Sequence, residues 1–137
     1  MKFIATILTL VAAVAATEVR YDPVYNNAGQ SLATVACSDG SNGMLTKGFT
    51  TFGSLPTFPN IGAAQAIAGW NSAACGSCWK ISYKGKSITV TAVDHAGDGF
   101  NLAETALNTL TNGQAVALGE ISATAVEVDA SECGITA

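Results

Sequence analysis

The chain has 137 residues, of which 49% are hydrophobic and 12% charged, with a formal net charge of -4 and 14 glycines. That balance excludes a disordered polyelectrolyte, and its acidic sign excludes nucleic acid and anionic membrane as natural partners. The glycine content and scarcity of charge point to a compact, turn-rich domain.

The first sixteen residues, MKFIATILTLVAAVAA, carry one lysine and then an apolar run ending in small side chains. They are read as a secretory signal peptide over residues 1–16, because the run is too short to span a bilayer comfortably and no charged stop-transfer flank follows. The remaining 17–137, roughly 120 residues, form one domain of ordinary size. Without Lys2 it has five basic against ten acidic side chains. The expected setting is extracellular.

Predicted elements are mostly strands. Residues 18–21 form the first candidate, running into Y-D-P-V-Y, where Tyr21, Asp22 and Tyr25 sit in an extended segment. Tyrosines there have either ordinary packing or a sugar-facing role, since a ring gives a flat apolar body with a polar tip; Asp22 either caps a turn or faces a ligand. Residues 31–37 and 47–50 are further strand candidates. Residues 62–68, between Pro59 and Gly69, are a weak helix candidate. Trp70 and Trp79 are assigned to the core beside the cysteines. From Trp79 to Tyr83 apolar and polar residues alternate, and Lys84-Gly85 turns the chain into the β-branched run 87–93, the clearest hairpin in the sequence. Asn101 followed by Glu104 resembles a capping box, with Leu102, Ala106, Leu107 and Leu110 as an apolar face, so a helix is expected over 102–109. A last strand runs through Thr124, Val126 and Val128 toward Cys133. Short strands, glycine-rich turns and one or two short helices describe a small, mainly β barrel.

Four cysteines, Cys37, Cys75, Cys78 and Cys133, follow the signal segment. In an oxidising compartment they imply two disulfides, with three connectivities open. A Cys75–Cys78 ring would constrain little, whereas Cys37–Cys75 and Cys78–Cys133 each close a long loop worth roughly 4 kcal/mol on the loop-entropy model. The two long bridges are preferred. A thioredoxin-like role for C-G-S-C would need a helix starting at its first cysteine in a βαβ unit, and here a strand begins at the second. No second ligand pair has zinc spacing. No cofactor or metal is expected.

The stretch V-D-H-A-G-D-G-F-N-L-A concentrates chemistry, with Asp94, Asp98, Asn101 and the single histidine, His95. Glycosidic hydrolysis needs two carboxyl groups about 5 to 9.5 Å apart across the bond. Asp98 lies between glycines, where aspartate is foremost a turn former that bonds its own backbone. Asp94 ends a strongly β-branched strand, a place where rigid structure presents groups to a surface groove. His95 has no partnering nucleophile, so it is read as an exposed histidine with at most a hydrogen bond to sugar. Asn101 is read as a helix cap; its amide cannot act as an acid or base, but it can bond a hydroxyl or acetamido group.

Taken together, V-R-Y-D-P-V-Y, V-A-C-S-D-G-S-N-G, L-P-T-F-P-N-I-G, G-W-N-S-A-A-C-G-S-C-W, S-I-T-V-T-A-V-D and G-F-N-L-A stand in the order found in the cerato-platanins, small secreted proteins of filamentous fungi, and the chain resembles that family over its whole mature length. The resemblance implies a six-stranded double-psi β-barrel, similar to the first domain of expansins, with bridges Cys37–Cys75 and Cys78–Cys133. It also implies binding of chitin (GlcNAc) oligomers, with cellulose as a second candidate, in a shallow groove, with Tyr21, Asp22, Asp94, His95 and Asn101 as carbohydrate-binding candidates. Expansin-like loosening of the fungal or plant wall, elicitation of plant defence through an unknown receptor and self-assembly at interfaces are further implications. Expansin-like relatives carry a second aspartate where this chain has Asn101. A lone Asp94 facing an amide argues for holding sugar rather than cutting it. The alternatives are weak hydrolysis by Asp94 with Asp98, and a surface-active coat protein of the fungal cell wall.

Overall fold

The computed structural model describes residues 16–136. The expected signal peptide lies outside them except for Ala16, which already pairs with Thr124. Among the described residues, six strands form a closed barrel: β1 (Ala16–Tyr21), β2 (Ile61–Ala64), β3 (Cys78–Tyr83), β4 (Lys86–His95), β5 (Phe100–Leu102) and β6 (Glu120–Val128), in spatial order β1-β5-β2-β4-β3-β6. The pairs β1–β5 and β2–β4 are parallel; the others are antiparallel. This is the expected six-stranded double-psi barrel. Closure removes every free sheet edge and leaves one inside, filled by Val19, Ile81, Val90, Leu102 and Ile121.

The β3–β4 hairpin forms as its residues dictate. Lys84 and Gly85 both take positive φ, the tight two-residue turn whose twist matches the flanking strands, and register runs from Tyr83↔Lys86 to Cys78↔Thr91. Residues 62–68, expected as a helix, instead begin inside β2, every residue of which is buried. Periodicity cannot separate a short apolar strand covered on both sides from a helix segment. Gly62 is needed there because a Cβ would sit 2.3 Å from the Asn101 carbonyl oxygen of β5.

Two helices are present among the described residues: α1 (Glu104–Thr111) and the single turn α2 (Ala115–Leu118). The first starts two residues later than expected, because Leu102 is held in the ladder opposite both Gly62 and Tyr21. Asn101 is therefore a strand residue and not a cap. The capping role passes to Asn26, whose Oδ1 accepts from the Thr105 amide at 3.2 Å. Ala106, Leu107 and Leu110 bury the apolar face of α1.

The expected strands 31–37 and 47–50 are loops. Ser31 turns its hydroxyl onto the Ala33 amide at 3.1 Å and opens a 3-10 turn, Leu32–Thr34, a local bond that competes with a ladder. Lys47 donates its amide back to Gly43 and Met44, and Gly48 turns with positive φ. These loops are nevertheless packed: Leu32, Met44, Phe52 and Leu55 are buried beneath them. Trp79 is partly buried, its ring edge-on to Phe100 with centroids 5.4 Å apart.

Both disulfides join as preferred, Cys37–Cys75 across 38 residues and Cys78–Cys133 across 55. The first ties the long loop to the segment before β3; the second ties β3 to the C-terminal 3-10 turn. Replacing either pair with serines is expected to lower unfolding free energy by about 4 kcal/mol, the loop-closure value, measured by urea unfolding against the parent protein.

Candidate functional site

Strand pairing places Arg20 of β1, Asn101 of β5, Ala63 of β2 and Asp94 of β4 in one row across the barrel. Asn101 and Asp94 are thus two strand spacings apart, about 10 Å between backbones. Around this row, Arg20, Tyr21, His95, Asp98 and Asn101 line an open groove of about 700 Å³. Three of the five residues expected to bind carbohydrate, Tyr21, His95 and Asn101, share this groove. Asp22 and Asp94 do not line it.

Asp22 turns the other way. Its Oδ1 accepts from the Val24 amide at 3.0 Å and caps the 3-10 turn Pro23–Asn26. That turn carries Tyr25 inward, so the tyrosine is only 5% exposed and packs on Phe52 with ring centroids 5.8 Å apart. The Y-D-P-V-Y segment therefore offers one tyrosine to solvent, Tyr21, and not two.

The Asp94 carboxylate has both oxygens engaged. Oδ2 accepts from the Tyr25 hydroxyl at 2.9 Å; Oδ1 accepts from the Ala36 amide at 3.0 Å and the His95 amide at 2.9 Å. One side chain thereby holds the first turn, the long loop and the end of β4 together. Burial first, then the nearby Asp94 charge and the hydrogen bond to it, then Asp22, push the Tyr25 hydroxyl far above its ordinary value of 10.0. Tyr25 consequently stays a neutral donor to the carboxylate.

His95 donates from Nδ1 to the Ile67 carbonyl at 2.6 Å, because a carbonyl can only accept. This leaves Nε2 as the ring nitrogen without a bond to the protein. Asp98 does not bond its own backbone as a turn former would. Its carboxylate takes the Arg20 guanidinium at 2.7 Å, and Glu120 takes the other Arg20 nitrogen at 3.0 Å. Beside them the neighbouring Glu120 raises Glu18 above its ordinary value. Sequence reasoning missed Arg20 and Tyr25 as partners of the two aspartates. The alternation of 18–21 did put Arg20 opposite the buried Val19, which was a usable signal; nothing local pointed to Tyr25.

The groove presents a tyrosine ring, an amide, an imidazole and an ion cluster in which one guanidinium is shared by two carboxylates. No metal-binding cluster of three or more His, Cys, Asp or Glu occurs among the described residues, nor any helix long and apolar enough to cross a membrane.

Fold and groove together define a class: a small disulfide-stapled β-barrel with a polar, aromatic-edged groove on its outer face. The family model for Cerato-platanin matches residues 17–135, and the chain belongs to the cerato-platanin family. An Asp f 15 allergen homolog of Arthroderma benhamiae is 53% identical over 133 residues, which cover 95% of this chain and 64% of that relative's length. The crystal structure of cerato-platanin 3 from M. perniciosa shares 56% identity at a TM-score of 0.84, covering 88% of this chain and 99% of that one. The solution structure of the fungal elicitor Cerato-Platanin shares 40% identity at a TM-score of 0.76, over 85% of this chain and 95% of that one.

Asp94→Ala leaves the Tyr25 hydroxyl and the Ala36 amide without their acceptor, and is expected to cost about 2–4 kcal/mol in denaturant unfolding. Tyr25 gives a pH signature. With its folded pKa raised, its contribution is fully present below pH 10, the unfolded value, and is lost progressively as pH rises above it. Unfolding free energy of the parent should fall more steeply than that of Tyr25→Phe above that pH, by up to about 1.4 kcal/mol per pH unit.

Proposed function

We propose that this protein is a secreted, non-hydrolytic binder of chitin oligosaccharides and related cell-wall polysaccharides, which loosens contacts between wall chains and is perceived by plants as an elicitor. The observation that carries this reading is the commitment of both aspartates: Asp94 to Tyr25 and two backbone amides, Asp98 to Arg20. Neither is left as a free acid, Asp94 does not line the groove, and Asn101, which does, offers an amide. Two-carboxylate hydrolysis has no second partner in that arrangement. The hydrolytic alternative through Asp98 loses its support with the Arg20 pair.

What remains suits recognition. An amide donates and accepts, His95 Nε2 accepts, Arg20 donates, and Tyr21 supplies a ring against the apolar face of a sugar. Elicitation rests on the family and on the relative described as a fungal elicitor. Extracellular action rests on the expected signal segment and on the two disulfides, which persist in oxidising compartments. For the surface-active alternative, the large exposed apolar side chains among the described residues are Val24, Trp70, Val116, Leu118 and Val126, of which only Val116 and Leu118 share an element.

Titration with GlcNAc oligomers should shift the amide resonances of Tyr21, His95 and Asn101 while no reducing sugar is released. Asn101→Ala should weaken binding about fivefold, the worth of one neutral hydrogen bond, by calorimetry. No shift at these residues, or sustained release of reducing ends, would remove the proposal.

A further inference from the structure

Trp70, expected in the core, is instead 63% exposed and is the one aromatic among the large exposed apolar side chains of the described residues. A tryptophan this open is ordinarily mobile, but this one is clasped. Its Nε1–H donates to Asp39 Oδ1 at 2.6 Å. A Cβ on Gly40 would come within 3.1 Å of its ring and 2.7 Å of the Asn71 amide oxygen, so a bare glycine is what leaves room for both side chains. Asn71 adopts positive φ and accepts from the Asn42 amide at 2.8 Å, while Asn42 Nδ2 returns a bond to the Asn71 carbonyl at 3.1 Å. The Cys37–Cys75 bridge staples the same two loops.

With the indole N–H already satisfied, the surface left to solvent is carbon. Immobilising the ring in advance removes much of the entropy cost that binding to a flexible side chain would incur. A fixed, flat, apolar face with a carboxylate at its rim matches a pyranose, which has a face of C–H groups and hydroxyls around its edge. The same carboxylate disfavours an anionic membrane surface.

The platform is also rooted in the groove. Ala36 donates to Asp94, and Ile67 accepts from His95, so both loops leave the end of β4 at neighbouring residues. Asp39 lies three residues beyond Ala36, and Trp70 three beyond Ile67. Three residues span at most roughly 11 Å of chain. We propose that Trp70, with Asp39 at its edge, is a stacking subsite for a further sugar ring, lengthening the groove past His95 so that long oligomers are bound better than short ones. This rests on the reading of the groove as a sugar site and adds to it the length of the ligand.

Calorimetric titration of the full chain with GlcNAc trimer and hexamer tests it, using the parent, Trp70→Ala and Trp70→Phe, with melting curves to establish that each is folded. The expected result is tighter binding of hexamer than trimer by the parent, a loss of about fivefold for hexamer alone in Trp70→Ala, and retention of most of the difference in Trp70→Phe, which keeps a ring. Unchanged hexamer affinity in a folded Trp70→Ala protein, or an equal loss for both oligomers, overturns the subsite and leaves the groove standing. A parent that binds neither oligomer overturns both.

Discussion

The carboxylate of Asp94 is the point on which the functional face depends. It stands at the end of β4, where the barrel stops and irregular chain begins, and three separate pieces of backbone are fastened to it through Tyr25, Ala36 and His95. A charged acceptor bonded by neutral donors gives stronger bonds than a neutral pair, and a buried phenol supplies one of them. The acid that first suggests catalysis thus works as an anchor. Its neighbour His95 anchors a fourth piece through Ile67.

From that anchor the groove and the tryptophan platform follow. Strand pairing sets Asn101 and Arg20 beside each other on the barrel wall, and Arg20 gathers Asp98 and Glu120 around itself. Exposed ion pairs of this kind add little to stability, yet they fix where charge and hydrogen-bond donors point. Beyond Ala36 and Ile67 the two loops are closed on each other by a disulfide and by the Asn42–Asn71 bonds. A rigid barrel therefore extends its order into loops that have hardly any regular structure of their own. Burial of Leu32, Met44, Phe52 and Leu55 beneath them supplies the reason they stay in place.

Cerato-platanin membership fits this construction, since an elicitor and an allergen homolog among the relatives share the chain's length of barrel and loops closely enough to superimpose or align over most of it. At the groove, Asn101 presents an amide, which can donate and accept hydrogen bonds but cannot transfer a proton as a carboxyl group does.

Sequence alone determined what depends on local pattern and on chain connectivity. The β3–β4 hairpin was legible because its turn chemistry and alternation agree, the absence of a Cys75–Cys78 ring because long loops gain more from closure, and the apolar face of α1 because its spacing is helical. Tertiary structure decided what depends on neighbours distant in the chain. Ile61–Ala64 is a strand because β4 and β5 cover it; Asn101 faces a groove because Leu102 beside it is claimed by the ladder, leaving the helix to be capped by Asn26. Tyr25 turned inward to an aspartate 69 residues away, and Trp70 outward to one 31 residues away. Period and propensity describe a residue's own segment, whereas burial is a property of what the rest of the chain brings to it.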